Sequence, residues 1–287
     1  MSEDKKDWIV EKNEDGFQIS YLVKERLLCG QSDFQKVEVV ETAGHGKMLF
    51  NDDLAMLSER DEFIYHDMIT HVALFTHPNP KRVLVVGGGD GGTAREVLRH
   101  ENVEYCKMVE IDALVVEACQ KHIPQTSAVF QNQKFDLLIE DAVKFMAETD
   151  EKFDVILVDS TDPIGPAQPL FGSEFYSNVN RVLNDDGIVI SQGESPFYDQ
   201  DMQKTMLTVL GQFFPKVMIY NFTNMTYPGG FWSFTFASKK YHPIKDFDPK
   251  RVQDSGIKFQ YYNEELHKGC FALPQFMKEN LKGLIKE

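Results

Sequence analysis

Hydrophobic and polar positions alternate in short runs from about residue 16 to residue 54. The stretch Val37-Glu38-Val39-Val40 is β-branched and bounded by Gly30 and the Gly44-His45-Gly46 turn, which predicts small antiparallel strands. The period then changes. Ile64, Met68 and Val72 recur at four-residue spacing with Phe63, Leu74 and Phe75 beside them, and this predicts a helix. Ser58-Glu59-Arg60-Asp61 in front of it reads as a capping box, and Pro78 and Pro80 close it.

After Pro80, apolar runs at 82–86, 105–109, 135–139, 153–158 and 188–191 alternate with helical stretches at 93–99, 113–121, 143–147 and 174–183. Such alternation predicts a parallel sheet covered on both faces, wound in the dinucleotide-binding or methyltransferase manner. Aromatic-rich runs at 217–222 and 231–237 read as an antiparallel edge. The expected fold class is α/β, a Rossmann-like sheet of the S-adenosylmethionine methyltransferase type. A small N-terminal antiparallel β domain over residues 1–57 precedes the catalytic domain at 58–287.

Composition narrows the function classes. A hydrophobic fraction of 42% and a charged fraction of 26% exclude an extended disordered chain. Thirty Lys and Arg against 45 Asp and Glu give a net charge of -15, a poor match to nucleic acid or an anionic membrane. The charged start, Met1 to Asp7, leads into no signal-peptide core, and no apolar run approaches the roughly 20 residues that span a bilayer. Cys29, Cys106, Cys119 and Cys270 form no CxxC pair, and Cys106 and Cys119 fall in apolar stretches. A cytoplasmic chain with reduced thiols is the expectation.

The informative feature is the acid that follows each parallel strand. The first strand leads into Gly87-Gly88-Gly89-Asp90-Gly91-Gly92 and the second into Glu110-Ile111-Asp112. The third and fourth are near copies, Phe135-Asp136-Leu137-Leu138-Ile139-Glu140-Asp141 and Phe153-Asp154-Val155-Ile156-Leu157-Val158-Asp159. Carboxyl ends of parallel strands share one edge, so Asp90, Glu110, Asp141 and Asp159 are expected to converge on one crevice. The competing role for each is to cap the helix that follows.

Gly87 and Gly89 let backbone approach a ligand at a helix N-terminus, a signal common to several nucleotide-binding folds. Glu110 stands about 20 residues on, where an acid grips a ribose, and Asp141 is suited to an adenine amino group. The loop has no basic residue and no GxxxxGK[ST], which disfavours polyphosphate. Asp90 would repel the carboxylate of intact S-adenosylmethionine and attract an amine left after decarboxylation. That exchange is worth several kcal/mol at an effective dielectric of ~20 before solvation.

Together the glycine loop, Glu59-Arg60-Asp61-Glu62-Phe63-Ile64-Tyr65-His66, Asp159-Ser160-Thr161-Asp162-Pro163, Gln31 and Gln35, Tyr227-Pro228-Gly229-Gly230 and Phe271-Ala272-Leu273-Pro274 resemble the spermidine synthase family of aminopropyltransferases. The likeness runs over nearly the whole chain. Two departures stand out: Asn51-Asp52-Asp53 where Leu-Asp-Gly is usual, and Ala142 where glycine is common.

The resemblance implies transfer of 3-aminopropyl from decarboxylated S-adenosylmethionine, a co-substrate rather than a cofactor, to putrescine. It implies that Gln35, Glu110 and Asp141 hold the methylthioadenosine part and that Asp90 and Asp159 hold the aminopropyl ammonium. Tyr65, Asp162, Gln192 and Tyr227 would line the acceptor channel, with His66 at its junction with the donor and Trp8 closing its far end. Asp159 is the expected general base, with Tyr65 orienting the neutral amine. The Pro- and Gly-rich loop at 161–172 reads as a lid over substrate.

Other signals are set aside. His66-Asp67-Met68-Ile69-Thr70-His71 lacks the histidine spacing of HExxH, and no metal is expected there or at His77. Trp232 is expected in the core, and Tyr227, beside Pro228-Gly229, at a ligand. Remaining alternatives are another acceptor amine (agmatine, cadaverine or spermidine) and a methyltransferase or non-catalytic ligand-binding relative. The N-terminal β piece is too small to bury much surface alone, so pairing across subunits is expected, and the resemblance implies a homodimer or homotetramer.

Overall fold

The computed structural model describes residues 6–13, 15–163 and 165–287. The charged start at residues 1–5 and Ile164 of the 161–172 loop lie outside the described residues. Five strands, β1 (Trp8–Lys12), β2 (Gln18–Gln31), β3 (Lys36–Thr42), β4 (Gly46–Asn51) and β5 (Leu54–Ser58), form an antiparallel sheet in chain order.

The second layer system begins with α1 (Glu62–Thr76), β6 (Arg82–Gly87), α2 (Gly92–Val97), β7 (Tyr105–Glu110), α3 (Ala113–His122), α4 (Pro124–Ser127) and β8 (Phe135–Ile139). It continues through α5 (Ala142–Glu148), β9 (Phe153–Asp159), α6 (Ser173–Val182), β10 (Leu183–Gln192), α7 (Gln200–Phe213), β11 (Lys216–Thr223) and β12 (Phe231–Ser238). The sheet order is β11-β12-β10-β9-β6-β7-β8, parallel from β10 to β8, with β12 antiparallel to both neighbours. The chain winds outward from β6 through β7 to β8, then returns to the other side at β9. The switch point therefore lies between β6 and β9, where ligands bind in open α/β sheets.

Both faces of the large sheet are buried, which is why its strands read as near-continuous apolar runs. Val83, Val85, Val155 and Leu157 pack toward α1 and α2, while Leu84, Val86, Ile156 and Val158 pack toward α5, α6 and α7. The small sheet docks Val37, Val39, Leu49 and Leu57 onto Val115, Ala118 and Cys119 of α3. Cys106, Cys119 and Cys270 are buried free thiols and Cys29 is exposed. Among the described residues no helix is long and apolar enough to cross a membrane.

The capping-box expectation is corrected. Ser58 ends β5, and α1 starts at Glu62 with no side-chain cap bond from Asp61. The Asp61 carboxylate is spent elsewhere. Ser58 Oγ and Thr226 Oγ1 each donate to it at 2.6 Å, and the Met225 and Thr226 amides donate at 2.8 and 2.9 Å. A buried carboxylate thereby ties the 224–227 loop to the start of α1. Helix α7 and the short helices Pro249–Asp254, Glu264–Gly269 and Gln275–Asn280 are additions to the sequence-based elements.

Candidate active site

The carboxyl ends of β6, β7, β8 and β9 open into a cavity of about 600 Å³. Register explains which side chains meet there. Gly87 lies opposite Asp159 and Glu110 opposite Ile139, so Asp90, Glu110, Asp141 and Asp159 all reach the cavity wall. Gly87 has φ +78, and a Cβ there would lie 2.2 Å from the Asp159 carbonyl oxygen. At Gly89 a Cβ would fall 2.9 Å from Val115 and 3.0 Å from Glu110 Oε2. The two glycines are what let the loop backbone close onto these carboxylates.

Asp159 accepts a hydrogen bond from Thr93 Oγ1 at 2.7 Å. Burial, and then the Asp90 charge, push its carboxyl up to about 6, against the opposing influence of His66. Glu110 is buried, and desolvation lifts it to about 7 although the Asp112 amide donates to it at 2.8 Å. Asp90 accepts from the Gly92 amide at 2.7 Å, and its Oδ1 lies 3.3 Å from His66 Nε2. Burial opposes charge on the His66 ring, but Asp90 and Glu62 outweigh it and hold the imidazolium up to about 10. Burial likewise works against the Glu62 carboxylate, yet His66 and Arg95 lower it to about 2.

Capping and site-lining turn out to be compatible jobs. Asp141 lines the cavity and also accepts from the Val143 amide at 2.8 Å at the start of α5. Gln35 lines the same end and donates to Asp112 Oδ2 at 3.0 Å, while Ser32 Oγ donates to that oxygen at 2.7 Å. Gln31 bonds the Ser32 carbonyl and is not part of the wall.

The other end of the cavity is aromatic and acidic. Tyr65 is packed edge-on by Phe234 at 4.9 Å and Tyr227 at 5.7 Å, with its hydroxyl 3.5 Å from Gln192 Oε1. Gln192 Nε2 donates to both Asp162 Oδ1 and Glu194 Oε1 at 2.9 Å. Tyr227 donates to the Met56 carbonyl at 3.0 Å. Glu11 and Asp199 complete this end. Burial lifts Glu11 to about 7 and Asp199 to about 6, and it raises Asp162 and Glu194 as well. The four acids have no cationic side chain bonded to them among the described residues.

One expectation is corrected here and one is extended. Trp8 is 47% exposed and does not line the cavity. The two-residue period of β1 turns Ile9 and Glu11 inward, which leaves Trp8 on the outer face. Trp232 packs in the core as expected and also borders the cavity, and its buried Nε1 has no partner. Ser160 Oγ and Asn51 Oδ1, of two further residues on the wall, are also buried and unpartnered.

Glu11, Glu194, Asp199 and Trp232 were missed by the strand-end pattern. Glu194 carries the one signal that could have been sought: it follows Gly193 directly after the β10 strand and sits at φ 59 while 3% exposed. A buried non-glycine residue in that conformation is strained, and such strain gathers at functional sites.

Among the described residues three groups bring ligand-type atoms within 4.8 Å, namely His66–Asp90–Asp159, Asp67–His71–Glu96 and His77–Asp154–Asp186. In the first, His66 Nδ1 is taken by Glu62 Oε2 at 2.5 Å and Nε2 faces Asp90 Oδ1 at 3.3 Å. In the second, His71 Nε2 faces Glu96 Oε2 at 3.2 Å and Asp67 Oδ1 at 3.5 Å, and its Nδ1 meets His100 Nε2 at 2.9 Å. In the third, His77 Nδ1 accepts from the Asn79 amide, so the neutral ring carries its proton on the nitrogen facing Asp186.

A profile described as "Spermine/spermidine synthase domain" matches residues 62–249, and one described as "Spermidine synthase tetramerisation domain" matches residues 7–59. The chain is 47% identical over 283 residues to a polyamine aminopropyltransferase of Methanocaldococcus jannaschii, with 97% of this chain and 96% of that protein covered. It is 45% identical over 279 residues to one from Clostridium beijerinckii, covering 96% and 98%. A spermidine synthase in complex with the transition state analogue AdoDATO superposes with a TM-score of 0.94 at 40% identity, over 96% of this chain and 95% of that one. The spermidine synthase from Thermotoga maritima gives 0.93 at 40%, over 96% and 94%.

Proposed function

Because the chain belongs to the spermine/spermidine synthase family and is an aminopropyltransferase, we propose that it moves a 3-aminopropyl group from decarboxylated S-adenosylmethionine to putrescine. The products are spermidine and methylthioadenosine. One observation carries the choice of donor: Asp90 and Asp159 both face the cavity beside the glycine loop, where an intact donor would bring its own carboxylate. Two carboxylates there favour an ammonium and repel an acid.

In this reading the adenosine lies against Gln35, Glu110 and Asp141, with apolar contact from Val109, Ile111 and Val115. The acceptor runs past Tyr65 and Tyr227 toward Asp162 and Gln192. Its far ammonium meets the acids Glu11, Glu194 and Asp199, and a cation among them offsets the cost that burial, and then neighbouring charge, sets on their ionised forms.

The attacking nitrogen must first lose a proton, because an ammonium has no lone pair. Asp159 takes it, while the Tyr65 hydroxyl and the unpartnered Ser160 Oγ help orient the amine. A nitrogen–carbon bond then forms as the carbon–sulfur bond breaks, and the electron pair leaves on the neutral thioether. The sulfonium is already an activated leaving group, so alignment supplies much of the remaining rate. The residues need no metal or covalent nucleophile for these steps.

The test offers decarboxylated and intact S-adenosylmethionine with putrescine, cadaverine, agmatine and spermidine. The expected outcome is highest kcat/KM with the decarboxylated donor and putrescine. Methyl transfer from the intact donor would sink the donor assignment, and a preferred longer amine would replace putrescine. The tetramerisation profile over residues 7–59 supports a homodimer or homotetramer, which light scattering would distinguish.

A further inference from the structure

Helix α7 buries one stripe along its length, formed by Gln203, Met206, Leu207 and Leu210. Gln203 is the polar member. It is 1% exposed and does not line the cavity. Its Nε2 donates to the Gly193 carbonyl at 3.0 Å and to Ser233 Oγ at 2.9 Å, with the Glu194 carbonyl at 3.4 Å. Ser233 Oγ in turn lies 2.8 Å from the Glu194 carbonyl and 2.7 Å from that of Gly193. One arrangement of hydrogens serves every acceptor: Gln203 donates to Gly193 and to Ser233, and Ser233 donates onward to Glu194. The oxygen of the same amide, Oε1, is buried with no partner among the described residues.

An amide is a poor choice here for packing alone. Leu or Met would continue the stripe and strand no oxygen, and a buried acceptor without a bond costs stability. What the amide does hold is the turn after β10. Glu194 sits there at φ 59 while 3% exposed, a backbone state that any side chain disfavours. Beside it, a Cβ on Gly193 would fall 2.7 Å from Ser233 Oγ, and the Gly193 amide donates to the Ser233 carbonyl at 2.9 Å. With both carbonyls held, Glu194 is kept from relaxing. Its Oε1 accepts from Gln192 Nε2 at 2.9 Å, the same nitrogen that donates to Asp162. Both carboxylates belong to residues on the wall at the acceptor end.

We propose that Gln203, acting with Ser233, is a positioning residue for acceptor recognition: it locks the left-handed turn at Glu194 and so holds that carboxylate where the far ammonium of a diamine docks. This rests on putrescine being the acceptor and lying as described above. Release of the clamp lets the backbone at residue 194 return to a region that side chains prefer, which turns the carboxylate away from Gln192 and Asp162. The loss falls on the second ammonium, because Gln203 and Ser233 make no contact with Tyr65, Asp159 or the donor wall.

The experiment is steady-state kinetics with decarboxylated S-adenosylmethionine, using putrescine as acceptor and n-butylamine as a competitive inhibitor against it. Butylamine has the attacking amine and the carbon chain but no second ammonium. Gln203→Met is expected to raise the putrescine KM at least about tenfold, the worth of one hydrogen bond to a charged group, while the butylamine Ki and the donor KM move by less than about twofold. Ser233→Ala, the smaller change, should shift the same constants in the same direction. In a Glu194→Gln background, where the putrescine KM is already raised, adding Gln203→Met should raise it by less than about twofold more. Equal losses for putrescine and butylamine overturn the inference, because a general packing role affects both. An unchanged putrescine KM in Gln203→Met overturns it too, and if that variant does not fold, Ser233→Ala carries the same comparison. So does the full loss repeated in the Glu194→Gln background, since Gln203 would then not act through Glu194. A wild-type enzyme whose butylamine Ki matches its putrescine KM sinks the acceptor reading itself, with the inference that stands on it.

Discussion

Asp159 must be anionic to accept a proton, yet it stands in a setting that disfavours the anion. Burial and the neighbouring Asp90 raise it to about 6, which makes it a better base than an ordinary carboxylate while leaving it ionised at neutral pH. Because the working form is the deprotonated one, kcat/KM should fall as pH drops through about 6, and a profile flat down to pH 5 would remove Asp159 from this role. Asp159→Asn keeps the Thr93 contact and the shape. It should lower turnover by roughly 10²–10⁴-fold and leave methylthioadenosine affinity within a few-fold. A near-wild-type rate would end the assignment. Asp90, Glu110, Asp141 and Asp159 were legible in the sequence because each follows a strand of the alternating pattern, which fixes its place on the sheet edge. Glu11 and Asp199 were not. Glu11 comes from the other sheet, and Asp199 stands just before a helix whose position the pattern did not reveal.

At the scale of elements, the departure at Asn51-Asp52-Asp53 has a concrete consequence. Asp52 and Asp53 form the two-residue turn between β4 and β5, with φ 47 and φ 67. Such a turn favours Asn-Gly or Asp-Gly, because a side chain at the second position crowds the backbone. Asp53 offsets part of that strain through Lys36 Nζ at 3.1 Å, an exposed pair of small worth. Asp53→Gly should therefore raise stability by about 0.5–1 kcal/mol, seen as a higher denaturant midpoint at unchanged slope. A lower midpoint would mean that the ion pair outweighs the strain. Kinetic constants should not move, since Asp53 does not touch the cavity. The loop after β9 behaves differently. Thr161, Asp162, Pro163, Ala167 and Leu170 all line the cavity, so donor and acceptor together should slow amide exchange across it, and unchanged exchange would argue against closure. The parallel strands were legible because burial on both faces makes them continuous apolar runs, whereas the short C-terminal helices present too few turns to show a period.

For the whole molecule, the net charge of -15 matters less than where its strained portion sits. Glu11, Asp162, Glu194 and Asp199 are raised chiefly by burial at the acceptor end, so the ligand-free fold carries the desolvation of their charged forms as a cost. The direction follows from linkage. Glu11 binds its proton more tightly in the native state, at about 7, than in the unfolded chain near 4.5, so the penalty appears above 4.5 and is complete above about 7. Its size is on the order of 3 kcal/mol before relaxation. Glu11→Gln retains an oxygen for the Ala55 amide and removes the charge. The variant should melt several degrees above wild type at pH 8, with the difference vanishing toward pH 4. Putrescine should narrow the gap at pH 8, because a bound diammonium stabilises the charged cluster of the wild type more than the neutralised one. The same substitution should raise the acceptor KM at least tenfold while leaving the donor KM nearly unchanged. Equal melting temperatures at pH 8 would mean that Glu11 is not strained, and an unchanged acceptor KM would mean that it does not meet the amine. Both effects together would establish that this end of the fold gives up stability to hold a cation.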